Sequence, residues 1–367
     1  MKIPLIDLPR QYKGIKKETI TIIDDAFSQG NFILGEKVEK FENEFARYCG
    51  VKYCIGVASG TDALLLSLKA LGVGPGDEVI TVAFTFVGTA LPIVYLGAKP
   101  VLVDIDPDTY QIDVEKLKKA ITKKTKVIIP VHLFGIPARI SEINKIAKEK
   151  NIHVLEDACQ ACGTVYEGKK CGSFGDVSAF SFYPSKILGA SGDGGAIVTN
   201  KKRLAQQIRA MRNVGQFQKY KHDLVGYNSR LDAIQAGILS IKLRKMGNWI
   251  LARRKVAQLY NKMLSPLPVV LPPEVEGALQ NHVIYTIKTK KRDDLAEFLN
   301  KSGVGCAIYY PIPLHLQKAL KFLGYKKGNF PVSEQVSCEV LSLPIYPELK
   351  ESEVKYICLK IQEFFKK

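Results

Sequence analysis

A single lysine, Lys186, follows an apolar run at residues 178–182 and precedes a glycine-rich segment. The glycines are Gly189, Gly192, Gly194 and Gly195. A lysine beside a buried strand and a flexible turn loses its proton readily, and the free amine can form an imine with a carbonyl compound. A β-hairpin turn with a surface lysine is the alternative interpretation of this segment. Because the glycines follow the lysine, their order fits neither a P-loop nor a dinucleotide-binding fingerprint.

Residues 59–62, Ser-Gly-Thr-Asp, lie between a strand-like run and a leucine-rich helical pattern. The first amides of a helix have no acceptor within the helix, and the positive end of the helix dipole attracts anions. This segment could therefore bind a phosphate group. A serine that only caps the helix is the alternative interpretation.

The run at residues 153–155 leads into two carboxylates, Glu156 and Asp157. Ligands of open α/β sheets bind beyond the carboxyl ends of the strands, so Asp157 is suitably placed to contact a buried charge. An acid in an exposed loop is the alternative. Together with Lys186 and the helix start, Asp157 completes the three anchors of a pyridoxal phosphate site, which hold the aldehyde, the ring nitrogen and the phosphate.

These residues need a scaffold, and the chain between about residues 50 and 200 alternates β-branched runs with amphipathic segments. The strand-like runs are residues 54–57, 78–82, 100–103, 127–131, 154–155 and 177–182. Between them, Leu64, Leu65, Leu68 and Leu71 share one helical face, as do Ile140, Ile143 and Ile146. This pattern predicts an α/β core of parallel strands joined by helices.

The character of the chain changes after about residue 200. A long helical pattern from Leu231 to Tyr260 is followed by prolines at positions 266, 268, 272 and 273, and the last hundred or so residues mix helix and strand. A chain of 367 residues is long enough for two or three folded units. We divide it into a large cofactor-binding domain, residues 1–245, and a small C-terminal domain, residues 246–367.

Charge and hydropathy narrow the classes of partner. Lysine and arginine number 53 against 36 acidic residues, a net charge of +17. The basic residues form short scattered clusters, which indicates solvated surfaces and small anionic substrates rather than nucleic acid. No run approaches the length of a membrane-spanning helix, and the first residues do not resemble a secretion signal. We therefore expect a cytoplasmic protein with no membrane partner.

Eight cysteines are too few for a disulfide scaffold in a chain of this length. Cys159 and Cys162 have the spacing of a zinc-binding pair, and Cys171 is near, but no second pair completes four ligands. We expect buried thiols and no metal.

The sequence resembles the DegT/DnrJ/StrS sugar aminotransferases, pyridoxal phosphate enzymes of fold type I that act on nucleotide-linked keto sugars. The motifs that carry the likeness over nearly the whole chain include SGTDALLLSL, GDEVITVAFTFVGTA, PVHLFG, EDACQACG, FSFYPSKILGASGDGGAIVTN, GYNSRLDAIQAGIL and PIPLHLQ. The resemblance implies an aspartate aminotransferase-like fold, with a three-layer αβα large domain and a smaller α+β C-terminal domain.

The resemblance also implies roles for the matching positions. Lys186 matches the imine lysine, and Asp157 matches the partner of the ring nitrogen. The other implied cofactor contacts are Gln160 near the phenolic oxygen, Phe86 stacked on the ring, and Gly60, Thr61 and Ser181 at the phosphate. Asn228 matches a residue that reaches the phosphate of the partner subunit, which implies a homodimer with shared active sites. Without the resemblance, Phe86 would be interpreted as a core residue.

Within the family, the motifs around Tyr183, Tyr310 and His315 look most like those of enzymes that aminate C3 of dTDP-linked 3-keto-6-deoxyhexoses. We expect L-glutamate to donate the amino group and these three side chains to line the sugar. A UDP-linked or 4-keto sugar, or a non-catalytic regulatory role, is the alternative. Cys162 and Ile187 replace the family's usual His and Asn. The resemblance therefore does not determine the shape of the pocket at these two positions.

Overall fold

The computed structural model describes residues 1–366. Its strands are β1 Tyr53–Val57, β2 Glu78–Val82, β3 Lys99–Val103, β4 Thr125–Ile128, β5 His153–Asp157, β6 Val165–Tyr166, β7 Lys169–Lys170, β8 Val177–Ser181, β9 Gly195–Thr199, β10 Gln216–Gln218, β11 Lys221–His222, β12 Ala278–Leu279, β13 Tyr285–Lys288 and β14 Val340–Leu343. Each predicted strand-like run contributes to one of these strands.

The α-helices are α1 Leu8–Lys13, α2 Lys16–Gln29, α3 Glu36–Cys49, α4 Gly60–Ala70, α5 Leu91–Tyr95, α6 Val114–Ala120, α7 Ile140–Lys150, α8 Lys202–Arg212, α9 Ala233–Leu264, α10 Arg292–Lys301, α11 Pro331–Glu339 and α12 Glu351–Lys366. Short 3₁₀ turns occur at Val87–Thr89, Leu133–Gly135, Leu314–Leu316 and Lys318–Leu323. None of the helices in this described part of the chain is long and apolar enough to cross a membrane.

The central sheet has seven strands in the order β1-β9-β8-β5-β4-β2-β3. The pairs among β8, β5, β4, β2 and β3 are parallel, as predicted. Strand β9 is not among the predicted runs, and it runs antiparallel to both β1 and β8. The loop between β8 and β9, residues 182–194, contains no crossover helix, so the chain reverses direction and pairs with the strand it has just left.

Helices cover both faces of this sheet. On one face, α4 and α8 pack their apolar side chains against alternate strand residues such as Ile55 and Ile197. On the other face, α3 and α9 pack near β1, β8 and β9, while α6 and α7 pack near β2 and β4. Because successive strand residues point to opposite faces, each face of the sheet has its own apolar core. The predicted α/β fold class with three layers is confirmed.

The C-terminal part has an apolar core of its own. The second half of α9 packs there with α10, α12 and the antiparallel pair β13–β14. Ile3 lies in the same core and pairs with Val304, which ties the start of the chain to this part. Helix α9 runs without a break across residue 245, and a domain boundary at that residue stays a prediction.

Candidate active site

A cavity of about 530 Å³ opens at one edge of the central sheet, a volume typical of small-molecule sites. The carboxyl ends of β1, β2, β4, β5 and β8 meet at this edge, and residues that follow each of these strands line the cavity. The opposite wall comes from the N-terminal segment and the C-terminal part: Leu5, Ile6, Val283, Ile284, Tyr309, Tyr310, Leu343 and Ile345.

Lys186 lies in the loop at residues 182–194 and lines the cavity. The base of the loop is closed at Phe182, whose N–H donates to Gly194 O and whose carbonyl accepts from Ala190 N. Among residues 1–366, no hydrogen-bond or ion-pair partner contacts the Lys186 amine. Burial lowers the pKa of Lys186, while the negative charge of Asp157 opposes this shift. The lower pKa raises the fraction of neutral, nucleophilic amine.

Asp157, the last residue of β5, is 5% exposed and also lines the cavity. Its Oδ2 accepts a hydrogen bond of 2.8 Å from the Thr89 hydroxyl, and its Oδ1 accepts one of 3.2 Å from Cys159 N. These two donors fix the plane of the carboxylate. The group can accept a further hydrogen bond from a ligand in the cavity.

The neighbouring carboxylate, Glu156, is buried away from the cavity. It accepts hydrogen bonds from His132 Nε2 at 2.9 Å, from Ser178 Oγ at 3.0 Å and from three amides of the segment 172–175 at 2.7 Å each. These bonds outweigh burial and hold the pKa of Glu156 below its ordinary value. His132 Nδ1 accepts from Ala138 N, which assigns the ring proton to Nε2. Glu156 therefore anchors a loop, and only Asp157 faces the site.

The start of α4 forms another wall of the cavity. Ser59 Oγ accepts from Asp62 N at 3.0 Å, whereas the amides of Gly60 and Thr61 have no acceptor within the described residues. A Cβ on Gly60 would lie 2.7 Å from Cβ of Ser181, so only glycine fits where α4 meets the end of β8. Gly60, Thr61 and Ser181 thus lie together as donors for an anion.

Aromatic side chains complete the site. Phe86 is 53% exposed and lines the cavity, so it is not a core residue. Its ring centroid lies 5.9 Å from that of Tyr310. Gln160 Oε1 accepts from Phe134 N at 2.7 Å, and its Nε2 donates to the Tyr310 hydroxyl at 3.1 Å. Gln160 is thereby held with its amide beside Tyr310.

Comparison with known proteins fits this arrangement. The DegT/DnrJ/EryC1/StrS aminotransferase family matches residues 13–362. This chain belongs to that family. It is a sugar aminotransferase, and the enzymes of this family use pyridoxal phosphate.

Three relatives illustrate the range of the DegT family. The pleiotropic regulatory protein of Geobacillus stearothermophilus is 47% identical over 369 residues, covering 100% of this chain and 99% of the relative. The UDP-2-acetamido-2-deoxy-3-oxo-D-glucuronate aminotransferase of Pseudomonas aeruginosa is 44% identical, with coverage of 97% and 98%. The dTDP-3-amino-3,6-dideoxy-alpha-D-galactopyranose transaminase of Aneurinibacillus thermoaerophilus is 41% identical, with coverage of 99% of each chain.

Solved structures of similar proteins have the same fold. Streptomyces venezuelae DesV, in complex with a ketimine intermediate, matches with a TM-score of 0.98 and 38% identity, covering 100% of this chain and 99% of DesV. NtdA from Bacillus subtilis, with bound cofactor PMP, matches with a TM-score of 0.93 and 31% identity, covering 100% and 86%.

The cavity walls fit pyridoxal phosphate. Free amides at the start of α4 suit the phosphate, the Asp157 carboxylate suits a protonated ring nitrogen, and an unpartnered amine on Lys186 suits the aldehyde. The exposed ring of Phe86 suits the flat face of the cofactor. The donors and acceptors that the cofactor requires are thus present in one cavity.

The three residues expected to bind the sugar lie in different environments. Tyr183 is 56% exposed and lines the cavity, and Tyr310 lines it beside Phe86. His315 does not line the cavity. The turn Leu314–Leu316 buries its imidazole, and Nε2 bonds to Glu334 at 2.8 Å. The structure therefore does not bring His315 to the sugar side of this chain's own cavity.

Asn228 also lies outside the cavity wall. It is exposed and pairs through its backbone with Asn213, on a segment near the hairpin β10–β11. An exposed position is compatible with contact to a second chain, and that role stays a prediction.

The two departures from the family's usual residues are buried in the core. Cys162 Sγ lies 3.7 Å from Met246 Sδ, and Ile187 packs in the same apolar cluster. Neither side chain lines the cavity.

Sequence reasoning missed Thr89, which holds Asp157 from a turn after β2. Thr85 and Thr89 are polar residues one helical turn apart in an apolar segment, and their hydroxyls lie 3.2 Å apart. That spacing was the sequence signal that could have indicated Thr89. No sequence signal indicated the apolar wall from Leu5, Ile6 and Leu343, because these residues are far from the other lining residues in the chain.

Proposed function

We propose that this enzyme transfers an amino group from L-glutamate to C3 of a dTDP-linked 3-keto-6-deoxyhexose, giving a dTDP-3-amino-3,6-dideoxyhexose. The observation that carries the proposal is the unpartnered Lys186 amine, which shares one cavity with the buried Asp157 carboxylate and the exposed Phe86 ring. In this proposal Lys186 is the catalytic residue. The residues that bind the cofactor are Gly60, Thr61, Phe86, Asp157, Gln160, Ser181 and Lys186, and Asn228 reaches the phosphate in the site of the partner subunit.

Bound pyridoxal phosphate supplies an aldehyde that bonds to amines and a ring that accepts electrons from a substrate carbon. Lys186 in its neutral form takes a proton from Cα of the amino donor and delivers a proton to C3 of the sugar. The lowered pKa of Lys186 makes that neutral form available. Asp157 accepts the ring N–H and thereby keeps the proton on the ring, while Phe86 covers one ring face and excludes water.

The assignment of the amination to C3 is supported by the names of similar enzymes. The Pseudomonas relative is named for a 3-oxo sugar and the Aneurinibacillus relative for a 3-amino sugar, which supports C3 rather than C4 in this chain. The dTDP nucleotide rests on the likeness around Tyr183 and Tyr310. A UDP-linked 3-keto sugar is the second candidate, and the 44% identity to the Pseudomonas enzyme favours it.

A non-catalytic role is the third candidate, because one relative is named as a regulatory protein. The complete set of Lys186, Asp157 and a free helix start supports turnover instead. Groups with shifted pKa values cluster at catalytic sites, and the lowered pKa of Lys186 fits that role.

We further propose a homodimer with shared active sites. Of the described residues that line the cavity, Lys186 alone is basic, whereas Asp157 and Asp193 are acidic. Glutamate carries two carboxylates and a nucleotide sugar carries a diphosphate, so further donors must come from outside this cavity wall. Two exposed aromatic residues of the hairpin near Asn228, Phe217 on β10 and Tyr220 in the turn, suit an interface with a second copy.

An absorbance spectrum of the purified protein with pyridoxal phosphate tests the reaction. We expect glutamate to convert the cofactor to pyridoxamine phosphate, and dTDP-3-keto-6-deoxyglucose or its galacto epimer to restore the original spectrum. Restoration only by a UDP-linked 3-keto sugar would replace the dTDP assignment with the second candidate. No response to glutamate would contradict catalysis and favour the regulatory role.

Mixing two inactive variants tests the shared site. Lys186→Ala removes the amine from one chain, and Asn228→Ala removes the proposed contact to the other chain's phosphate. In a mixed dimer one site contains both native residues, so we expect mixing to restore part of the activity. If mixing restores nothing while dimers form and exchange, Asn228 does not serve the partner's site.

A further inference from the structure

Lys242 is a buried charged residue outside the cavity. It lies on α9, is 6% exposed, and its Nζ donates a hydrogen bond of 2.6 Å to Gly189 O. No carboxylate in the described part of the chain pairs with it. Burial lowers the pKa of Lys242 to about 8, because no opposite charge among residues 1–366 offsets the removal of this amine from water.

Gln235 contacts the same loop from the same helix. Its Oε1 accepts from Ser191 N at 2.7 Å, and its Nε2 donates to Ser191 O at 3.2 Å. Gln235 and Lys242 are seven residues apart, two turns of one helical face. Helix α9 thus bonds to two positions of the loop at residues 182–194.

This loop carries Lys186 and has little freedom at its anchor points. Ile187 and Leu188, the two residues directly after the lysine, are buried in the core. A Cβ on Gly189 would lie 2.3 Å from Pro184 O, so the backbone folds closely on itself around Lys186. Lys242 is the hydrogen-bond partner of the Gly189 carbonyl, and a buried carbonyl without a partner is unfavourable. Removal of the Lys242 amine would therefore shift the loop.

We propose that Lys242 and Gln235 are positioning residues, which hold the loop so that the Lys186 amine points into the cavity. The proposal rests on the proposed function for the role of Lys186. A displaced amine transfers protons more slowly, whereas Tyr310 and the cavity wall from the C-terminal part lie outside this loop and stay in place. Loss of either anchor therefore lowers kcat more than it raises KM.

The test compares Lys242→Met, which keeps the aliphatic chain, with Gln235→Leu and with Lys245→Met. Lys245 lies on the same helix, and its contact, Glu18, is at the surface. Hydrogen–deuterium exchange of residues 183–194 is measured in the cofactor-bound proteins, together with kcat, KM and the pH at which the absorbance of the cofactor bound to Lys186 titrates.

We expect faster exchange in this loop, about a tenfold lower kcat with KM within about twofold, and a shifted titration for Lys242→Met and Gln235→Leu. Lys245→Met should match the wild type. Wild-type exchange and kcat in both loop variants would overturn the proposal. If Lys242→Met does not fold, Gln235→Leu decides. If the wild type aminates no sugar, the proposed function fails, and the exchange data and the titration still decide whether α9 holds the loop.

Discussion

The Thr89 hydroxyl donates a hydrogen bond of 2.8 Å to Oδ2 of Asp157, across 68 positions of sequence. The bond joins the turn after β2 to the end of β5 and fixes the carboxylate proposed to hold the ring nitrogen of the cofactor. A hydrogen bond to a charged group typically contributes about 1.5 to 3 kcal/mol.

Thr89→Val removes this donor with little change in volume. We expect kcat/KM for glutamate to fall about tenfold, because the Asp157 carboxylate loses its orientation. Thr89→Ser keeps the hydroxyl and should retain most of the activity. Equal rates for the valine and serine variants would show that the bond has no role in the reaction.

Lys186→Ala removes the proposed catalytic amine. We expect the transamination rate to fall at least about 1000-fold, because proton transfer and cofactor attachment are lost together. Thermal unfolding of the cofactor-free variant should occur at or above the wild-type temperature, since a desolvated amine without a hydrogen-bond partner is removed. Substantial turnover in the folded variant would contradict the mechanism.

Gly60→Ala tests the phosphate site. The new Cβ would lie 2.7 Å from Cβ of Ser181 and would separate α4 from the end of β8. We expect the Kd for pyridoxal phosphate, measured by absorbance titration, to rise at least about tenfold. Gly74→Ala is the matched control, because its Cβ would meet no atom within 4 Å. Unchanged affinity in Gly60→Ala would exclude this helix start as the phosphate site.

Glu156→Gln tests the buried anchor on β5. An amide in place of the carboxylate directs an N–H at backbone donors, so we expect the free energy of unfolding in urea at pH 7 to fall by about 3 kcal/mol. The pKa of Glu156 is lowered in the fold, so its contribution is lost as pH falls below the ordinary value of 4.5. The difference from the wild type should therefore shrink in acid. The exposed Glu149→Gln serves as the control.

The stability of the cofactor-free protein should depend on Lys242 at alkaline pH. The pKa of Lys242 falls from 10.5 to about 8 in the fold, so the unfolded chain binds more protons between these values. Stability relative to Lys242→Met should therefore rise with pH across this window, by up to about 3 kcal/mol. Urea unfolding of both proteins at about pH 7.5 and about pH 10 measures this difference in the free energy of unfolding. A difference that is the same at both pH values would contradict the lowered pKa.

Much of the site could be predicted from local sequence. Asp157 and Ser181 end strands, and the segment around Gly60 follows one. Parallel strands align their carboxyl ends, so residues at these positions meet at one edge wherever the strands are placed in the sheet. The leucines on α4 were predicted for a similar reason, because one helical face must pack on the sheet.

Other features required the folded chain. No local sequence pattern predicts three of them: the antiparallel direction of β9, the burial of His315 against Glu334, and the hydrogen bond from Lys242 to Gly189 O. Each depends on which segment, distant in the sequence, packs against the residue in the folded chain.

The sequence by itself therefore determined the α/β class, the family and the cluster of Lys186, Asp157 and the α4 start. Periodic burial and strand-end placement are encoded within a few residues of each position. Only the tertiary structure decided that Glu156 is an anchor while Asp157 faces the cavity, and that Thr89 holds it. Those outcomes depend on hydrogen bonds between side chains and backbone groups many residues apart, which form only when the packed layers bring them together.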